Sequence, residues 1–578
     1  MKTRGSRRWR FAAAIAALAM VVATSACSFS GKTPGPDASQ GGVLRISMIP
    51  VTTLDPAVAG NSSYGQILML GLYEGLVVIN KDDPLHVTEG AAKSWDISSD
   101  GLKYTFHLRD GARWSNGDPV TAEDFAWNFK RILTPGVAGK GTPSYNAQIG
   151  IKGAADFMTG ASKDFSTVGV EAKDSSTLVL TLDRPNADFL VQLASYWALP
   201  LNPKAVEKNG TDWSQPKNWV SNGAYTLTNF TVNQGATLTK NDKYWDAKDY
   251  PITAVNVTFN DGGTTADLLA YQQDKLDITG RIEADLGAVT SSNVSAQLVS
   301  SPTNQVSQLV VMSSQNPVLT DVRVRQALAE AIDRNEVAKV AKPSVAGPSL
   351  VPAAVKQSPD FKAIPSDASH AKQLLAQAGY PDGKGMPTIT LLDYQRTPWV
   401  EAVAQMWRDK LGINVTIDVQ EVGVYGTKRA ELHGPDYVGF YVQTGGFNPP
   451  TLLSNALTAR GSAPAMDGVN MMSVEASKQY AQARAAGADA KALSAILDKG
   501  RLAENARVIS LTDKALGETD PQKQLGLLVD AQTARNETYN TIPVLWGGYN
   551  LLVKPRVKNL KPWYYGSVYS LKGVTIEN

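Results

Sequence analysis

A chain of 578 residues is too long for one hydrophobic core, so two or three lobes are expected. With 43% apolar and 19% charged residues, its make-up is that of an ordinary globular protein. The 56 basic and 54 acidic side chains nearly cancel, which leaves no basic patch for nucleic acid and no electrostatic reason to expect a strongly charged ligand.

In chain order, Lys2, Arg4, Arg7, Arg8 and Arg10 precede an Ala-rich apolar run, Phe11 to Val22. A run of about 12 apolar residues falls short of the ~20 needed to cross a bilayer, so residues 1–26 read as a signal peptide. Ser6-Arg7-Arg8 suggests a twin-arginine signal that Arg10 and Phe11 fit poorly, and the export route stays open. Ala23-Thr24-Ser25-Ala26-Cys27 resembles a bacterial lipobox, with Thr24 where that box usually has Leu. The resemblance implies that Cys27 is diacylated and becomes the mature N-terminus. Cys27 is also the sole cysteine, so no intramolecular disulfide can form. The alternative is a free thiol just past an ordinary cleavage site. Residues 27–42 continue as a Gly/Ser/Pro-rich stretch that reads as a flexible tether.

Ordered structure is expected from Val43 to Met48, an alternating strand, followed by a turn-rich loop from Leu54-Asp55-Pro56 to Ser63 and a helix from Ile67 to Leu76. Between about 85 and 200, strand pieces such as Tyr104 to Leu108 alternate with turns at Asp110-Gly111 and Asn116-Gly117. A helix over Ala122 to Arg131 has Thr121 as its cap. Strands are expected at 224–227, 236–239 and 254–259, with a helix at 264–273. Helices at 321–341, 367–378 and 398–411 then alternate with strands at 387–392 and 413–420, which is the α/β signature. A long helical stretch at 473–535 comes before Pro543-Val544-Leu545-Trp546, and no internal repeat is found.

Catalytic patterns are missing. His86, His107, His370 and His433 are not spaced with other ligands as metal sites require, so neither metal nor cofactor is expected. There is no nucleophile elbow, HExxH, phosphate loop or dinucleotide fingerprint. Glu123-Asp124 and Asp82-Asp83 are neighbours whose side chains point apart, which gives no acid/base pair. A binding protein is favoured over an enzyme, with a secreted hydrolase as a remote reading because triads assemble from scattered residues. Twelve Trp and twenty Tyr could line a cleft or fill cores.

The segment from Ala91 to Pro135, AAKSWDISSDGLKYTFHLRDGARWSNGDPVTAEDFAWNFKRILTP, resembles the signature region of the peptide- and nickel-binding solute receptors of ABC importers. The likeness continues in order through KNDKYWD (240–246), LTDVRVRQALAEAIDRNEV (319–337), WRDKLGINVTI (407–417) and IPVLWGGYNLLVKPRVKNLKPW (542–563), closest to the oligopeptide-binding branch. It implies an α/β fold of two lobes closing on a ligand about a hinge, with an extra domain inserted in the first. Lobe I would comprise 43–71, 205–305 and 570–578, the extra domain 72–204, and lobe II 306–569. A stretch near 482–515 has no counterpart and reads as a helical insertion. The implied function is capture of oligopeptides outside the cytoplasm by a monomer that is lipid-anchored to the outer face of the cell membrane. Its partners would be permease subunits and their ATPases, with no nucleic acid.

In that branch the ligand lies extended and pairs its backbone with protein strands. The implied contacts are Gly60, Asn61 and Ser62 after the L-D-P motif, and Gln443, Thr444, Gly445, Gly446 and Phe447 after DYVGFYV. Tyr196, Trp197, Gly280, Arg281, Leu309 and Tyr569 complete the set. Gly446 stands where the branch places an Asp for the peptide ammonium, and Gly439 or Phe440 replaces an Arg. Family Tyr/Glu contacts become Leu309, Val310 and Val311, and Asn-rich contacts become Gly280 and Arg281. A buried ammonium without a counter-charge costs several kcal/mol. Either Glu283 or Asp285 takes over, or the ligand's end is not a free amine. The expected pocket is more apolar than the branch norm and suits hydrophobic, modified or cyclic peptides. A non-peptide solute such as a glycan or metal chelate is the alternative.

Overall fold

The computed structural model describes residues 42–577 apart from 59–62, 81–85, 138–149, 187–188, 261–264, 281–285, 313–315, 351, 353–361, 395, 431–435, 447–471, 519 and 562–568. β1 (Val43–Met48) buries Leu44 and Ile46, as its alternation requires. α1 (Ser63–Leu72) stops before the expected Leu76. Buried Asn222 accepts the Glu74 N–H at 3.1 Å and donates to the Glu74 carbonyl at 2.8 Å, so the backbone there bonds across the chain instead of along a helix.

A hairpin of β2 (Val77–Ile79) and β3 (Val87–Glu89) follows. β4 (Ala92–Ile97), β5 (Lys103–Leu108), β6 (Val170–Asp174) and β7 (Thr177–Thr181) form an antiparallel sheet in the order β4-β5-β7-β6. Against it packs the expected helix, which runs over Ala122–Leu133. Asp124 explains where that helix starts: its carboxylate accepts the Thr121 N–H and the Trp114 indole N–H, each at 2.9 Å. β8 (Tyr225–Thr231), β9 (Gly235–Lys240) and β10 (Ala254–Phe259) bring the chain back beside β1 in the order β1-β10-β9-β8, with β1 parallel to β10. One continuous core joins this sheet to the inserted one, running from Leu44 and Ile46 to Phe106, Trp114 and Trp197.

The second half is built on a six-stranded mixed sheet in the order β12-β16-β11-β15-β13-β14. Its strands are β11 (Leu298–Val311), β12 (Val345–Ala346), β13 (Ile389–Asp393), β14 (Val415–Val419), β15 (Gly439–Gly446) and β16 (Thr541–Leu552). Leu309, Val311, Phe440, Val442, Ile542 and Val544 turn one face to a second core that holds Trp407. The other face, with Val310, Met312, Leu392 and Tyr441, meets Tyr425 of the helix Val422–Ala430.

The expected helix 321–341 is two, Val322–Glu330 and Arg334–Lys339. Asp333 recaps the chain by accepting the N–H groups of Asn335 and Glu336, and the buried Arg334 guanidinium donates to the Pro543 carbonyl at 2.9 Å. The stretch 473–535 is four helices, Val474–Ala485, Ala490–Gly500, Ala503–Gly517 and Pro521–Thr538. Gly487 at φ +77°, Asp489 as an N-cap and Pro521 as a helix start explain three of these boundaries.

Candidate ligand cleft

β11 and β16 are long, at 14 and 12 residues, because each runs from one core to the other. At one end Leu552 packs with Leu268, Tyr271 and Leu276, while Tyr549 and Leu551 join the first core. At the other, Leu309, Val311, Ile542 and Leu545 join the second core. Their register breaks midway, between the pairs Pro302–Gly548 and Val306–Trp546. Pro302 has no N–H for the ladder, and the Thr303 hydroxyl accepts the Gln305 N–H at 3.1 Å. Opposite the break, a Cβ on Gly547 would lie 2.8 Å from both Gln305 Cβ and Thr303 Oγ1, so only glycine fits. Two strands with a shared irregularity are the connection about which two lobes could turn.

Residues from both sides meet this crossing. On the first-core side, the Gly280 N–H donates to Ser47 Oγ at 2.8 Å, and Thr279 exchanges two hydrogen bonds with Leu552. Gly280 is therefore pinned between the end of β1 and the end of β16. On the second-core side, Gln443 to Gly446 pair with Gln308 to Gln305, just past the break. Ser307 and Thr444 share a hydroxyl bond of 2.9 Å, and Gln308 Nε2 donates to Gln443 Oε1 at 2.7 Å. β13 accompanies β15 only over residues 439–441. From Gln443 onward the outer edge of β15 is therefore paired with no strand among the described residues, leaving backbone N–H and C=O groups for an added chain.

Four other expected contact residues are buried in the cores. Tyr196 and Trp197 are buried in the first core, with Trp197 edge-on to Phe129 at 6.3 Å. Leu309 is fully buried in the second. Tyr569 is buried in the first core, where it lines a small cavity with Val299 and Ser301 of β11 and Tyr549 and Leu551 of β16. Gly60, Asn61, Ser62, Arg281 and Phe447 lie outside the described residues, as do Cys27, Glu283 and Asp285.

Two residues near the β15 edge were not anticipated. Arg429 lies 5.7 Å over the Tyr425 ring and 5.5 Å over the Tyr441 ring, and its buried Nε has no hydrogen-bond partner. Gln308 is 3% exposed with its Oε1 unpartnered. A polar Gln immediately before the apolar run from Leu309 to Val311 was the only signal for it. Among the described residues no group of three or more His, Cys, Asp or Glu is placed to hold a metal ion, and no helix is long and apolar enough to cross a membrane.

The family model of the bacterial extracellular solute-binding proteins, family 5, matches residues 86–464. The probable deoxycholate-binding periplasmic protein YgiS of Escherichia coli is 33% identical over 384 residues, 64% of this chain and 70% of that one. The oligopeptide-binding protein OppA of Bacillus subtilis is 31% identical over 471 residues, 77% of this chain and 83% of that one. The fold matches the murein tripeptide binding protein MppA of Escherichia coli in its unliganded open form, with a TM-score of 0.73 at 23% identity over 92% of this chain and 97% of that one. With two cores joined by a pair of crossing strands, and with this sequence match over most of its length, the chain belongs to the bacterial extracellular solute-binding proteins of family 5.

Proposed function

We propose that this protein captures an extended oligopeptide at the crossing of β11 and β16 and delivers it to the permease of an ABC importer, held at the outer face of the cell membrane by a lipid on Cys27. The observation that carries the reading is the open edge of β15 from Gln443 to Gly446, beside a two-strand connection between cores. An edge of this kind binds an extended backbone whatever its side chains are, which suits a receptor for many peptides. The lobe boundaries 43–71 with 205–305 and 570–578, 72–204 and 306–569 belong to the same proposal.

The ligand's N-terminal end is proposed to be apolar or blocked, because β15 ends in Gly445-Gly446 and offers no carboxylate there. A second reading rests on Arg429 as the cation beside this edge and on the similarity to YgiS: an amphipathic carboxylate of the steroid-acid kind fills the same cleft. Calorimetric titration with a hydrophobic tripeptide, its N-acetylated form and deoxycholate separates the readings. Equal or tighter binding of the acetylated peptide is expected. A large loss on acetylation sinks the blocked-end assignment, and binding of deoxycholate alone replaces the peptide reading.

A further inference from the structure

A cavity of about 600 Å³ opens in the first half of the molecule, between the β2–β3 hairpin, the aromatic pair Tyr244-Trp245 and the segment from Tyr569 to Lys572. None of Gly280, Gln308 and Gln443 to Gly446 lines it. We propose that this cavity is a second binding site, for a small organic carboxylate with an apolar body, held by Arg109.

Arg109 is oriented from two directions. Its Nε donates to the Gly90 carbonyl at 2.7 Å, and its guanidinium lies 3.5 Å over the Trp245 ring. Trp245 is itself fixed, because its indole N–H donates to Glu74 at 2.8 Å. The terminal nitrogens of Arg109 make no hydrogen bond among the described residues, so a fork of donors is held rigid at the cavity wall, the geometry that takes a carboxylate in bidentate fashion. The other cations there already have acids: Lys93 lies 3.2 Å from Asp110, and Lys572 2.7 Å from Asp246 and 3.6 Å from Asp249. Glu89 and Glu74 also line the cavity, and Glu74, whose carboxyl feels the Arg109 charge, is a weak counter-charge. Burial pushes it up to about 7, and both its oxygens are taken by Tyr244 and Trp245. Val78, Leu70, Tyr250 and Leu571 give part of the wall an apolar character suited to a hydrocarbon body, beside the polar Asn80, Thr88, Glu89 and Asp249.

Ligand-observed NMR on the folded chain tests this with acetate, hexanoate and phenylacetate as probes and phenylacetamide as the uncharged partner of the last. Hexanoate or phenylacetate should bind, with phenylacetamide at least about tenfold weaker. Arg109→Gln should weaken the carboxylate by about tenfold or more. Thr88→Trp, which leaves Arg109 in place and narrows the cavity from the hairpin, should also abolish the signal. If Arg109→Gln does not fold, Thr88→Trp decides. Absence of binding by all three carboxylates overturns the proposal, as does equal binding of the amide or unchanged affinity in Thr88→Trp.

Discussion

Glu74 shows what burial does to a single side chain. It is 5% exposed, and desolvation outweighs the Tyr244 and Trp245 donors and the Arg109 and Lys572 charges, raising it from 4.5 to about 7. A carboxyl whose folded-state pKa is raised stabilises the fold below its unfolded value, and that contribution is lost as pH rises through about 7. Wild type should therefore lose on the order of 3 kcal/mol relative to Glu74→Gln between pH 4.5 and 7.5. Urea denaturation across that range measures it, and parallel stability profiles for the two proteins would refute it. Nothing in the sequence marked Glu74, because its environment is assembled from Tyr244 and Trp245, about 170 residues away. Arg429 escaped notice for the same reason: the Tyr441 ring that it covers sits on a different element.

At the scale of elements, local signals worked where the chain satisfies its own backbone. Thr121 and Asp124 start a helix within one turn, and the strands at 43–48 and 254–259 follow from alternation. They failed where a distant group intervenes, as when Asn222 takes the Glu74 backbone and ends α1 early. The crossing strands belong to this second class. β11 and β16 approach so closely at Gly547 that a methyl group there must displace Gln305 or Thr303. Gly547→Ala should cost about 1–3 kcal/mol and change ligand affinity along with stability, since the strain falls on the connection between the lobes. Thermal melting with and without ligand checks this. A variant that melts and binds as wild type would show that the break tolerates a side chain.

The whole molecule is closed by long-range ties. Asp277 has a side chain only 1% exposed; it accepts Arg45 Nε at 2.9 Å and Arg556 Nε at 2.8 Å, joining β1 to the region after β16. Asp277→Ala removes the buried carboxylate between the two guanidinium groups, leaving them only Asp274, which lies 3.8 Å from Arg45 and 3.0 Å from Arg556, and should cost about 2 kcal/mol. The urea midpoint tests it, and a shift within error would mean that Asp274 holds both arginines alone. At the membrane, Cys27→Ser should release the protein from the envelope and abolish labelling by radioactive palmitate. Retention of both would place the anchor elsewhere.

Order along the chain was enough to specify the α/β class and the family resemblance. These depend on local periodicity and on motifs whose residues lie close in sequence. Only the tertiary structure decided which aromatic residues are core and which glycines are obligatory. It put Tyr196, Trp197 and Leu309 into cores, made Gly547 a contact point, and left the outer edge of β15 unpaired from Gln443 onward among the described residues. Burial and strand pairing are set by partners hundreds of residues apart, and their distances from one another are absent from any local pattern.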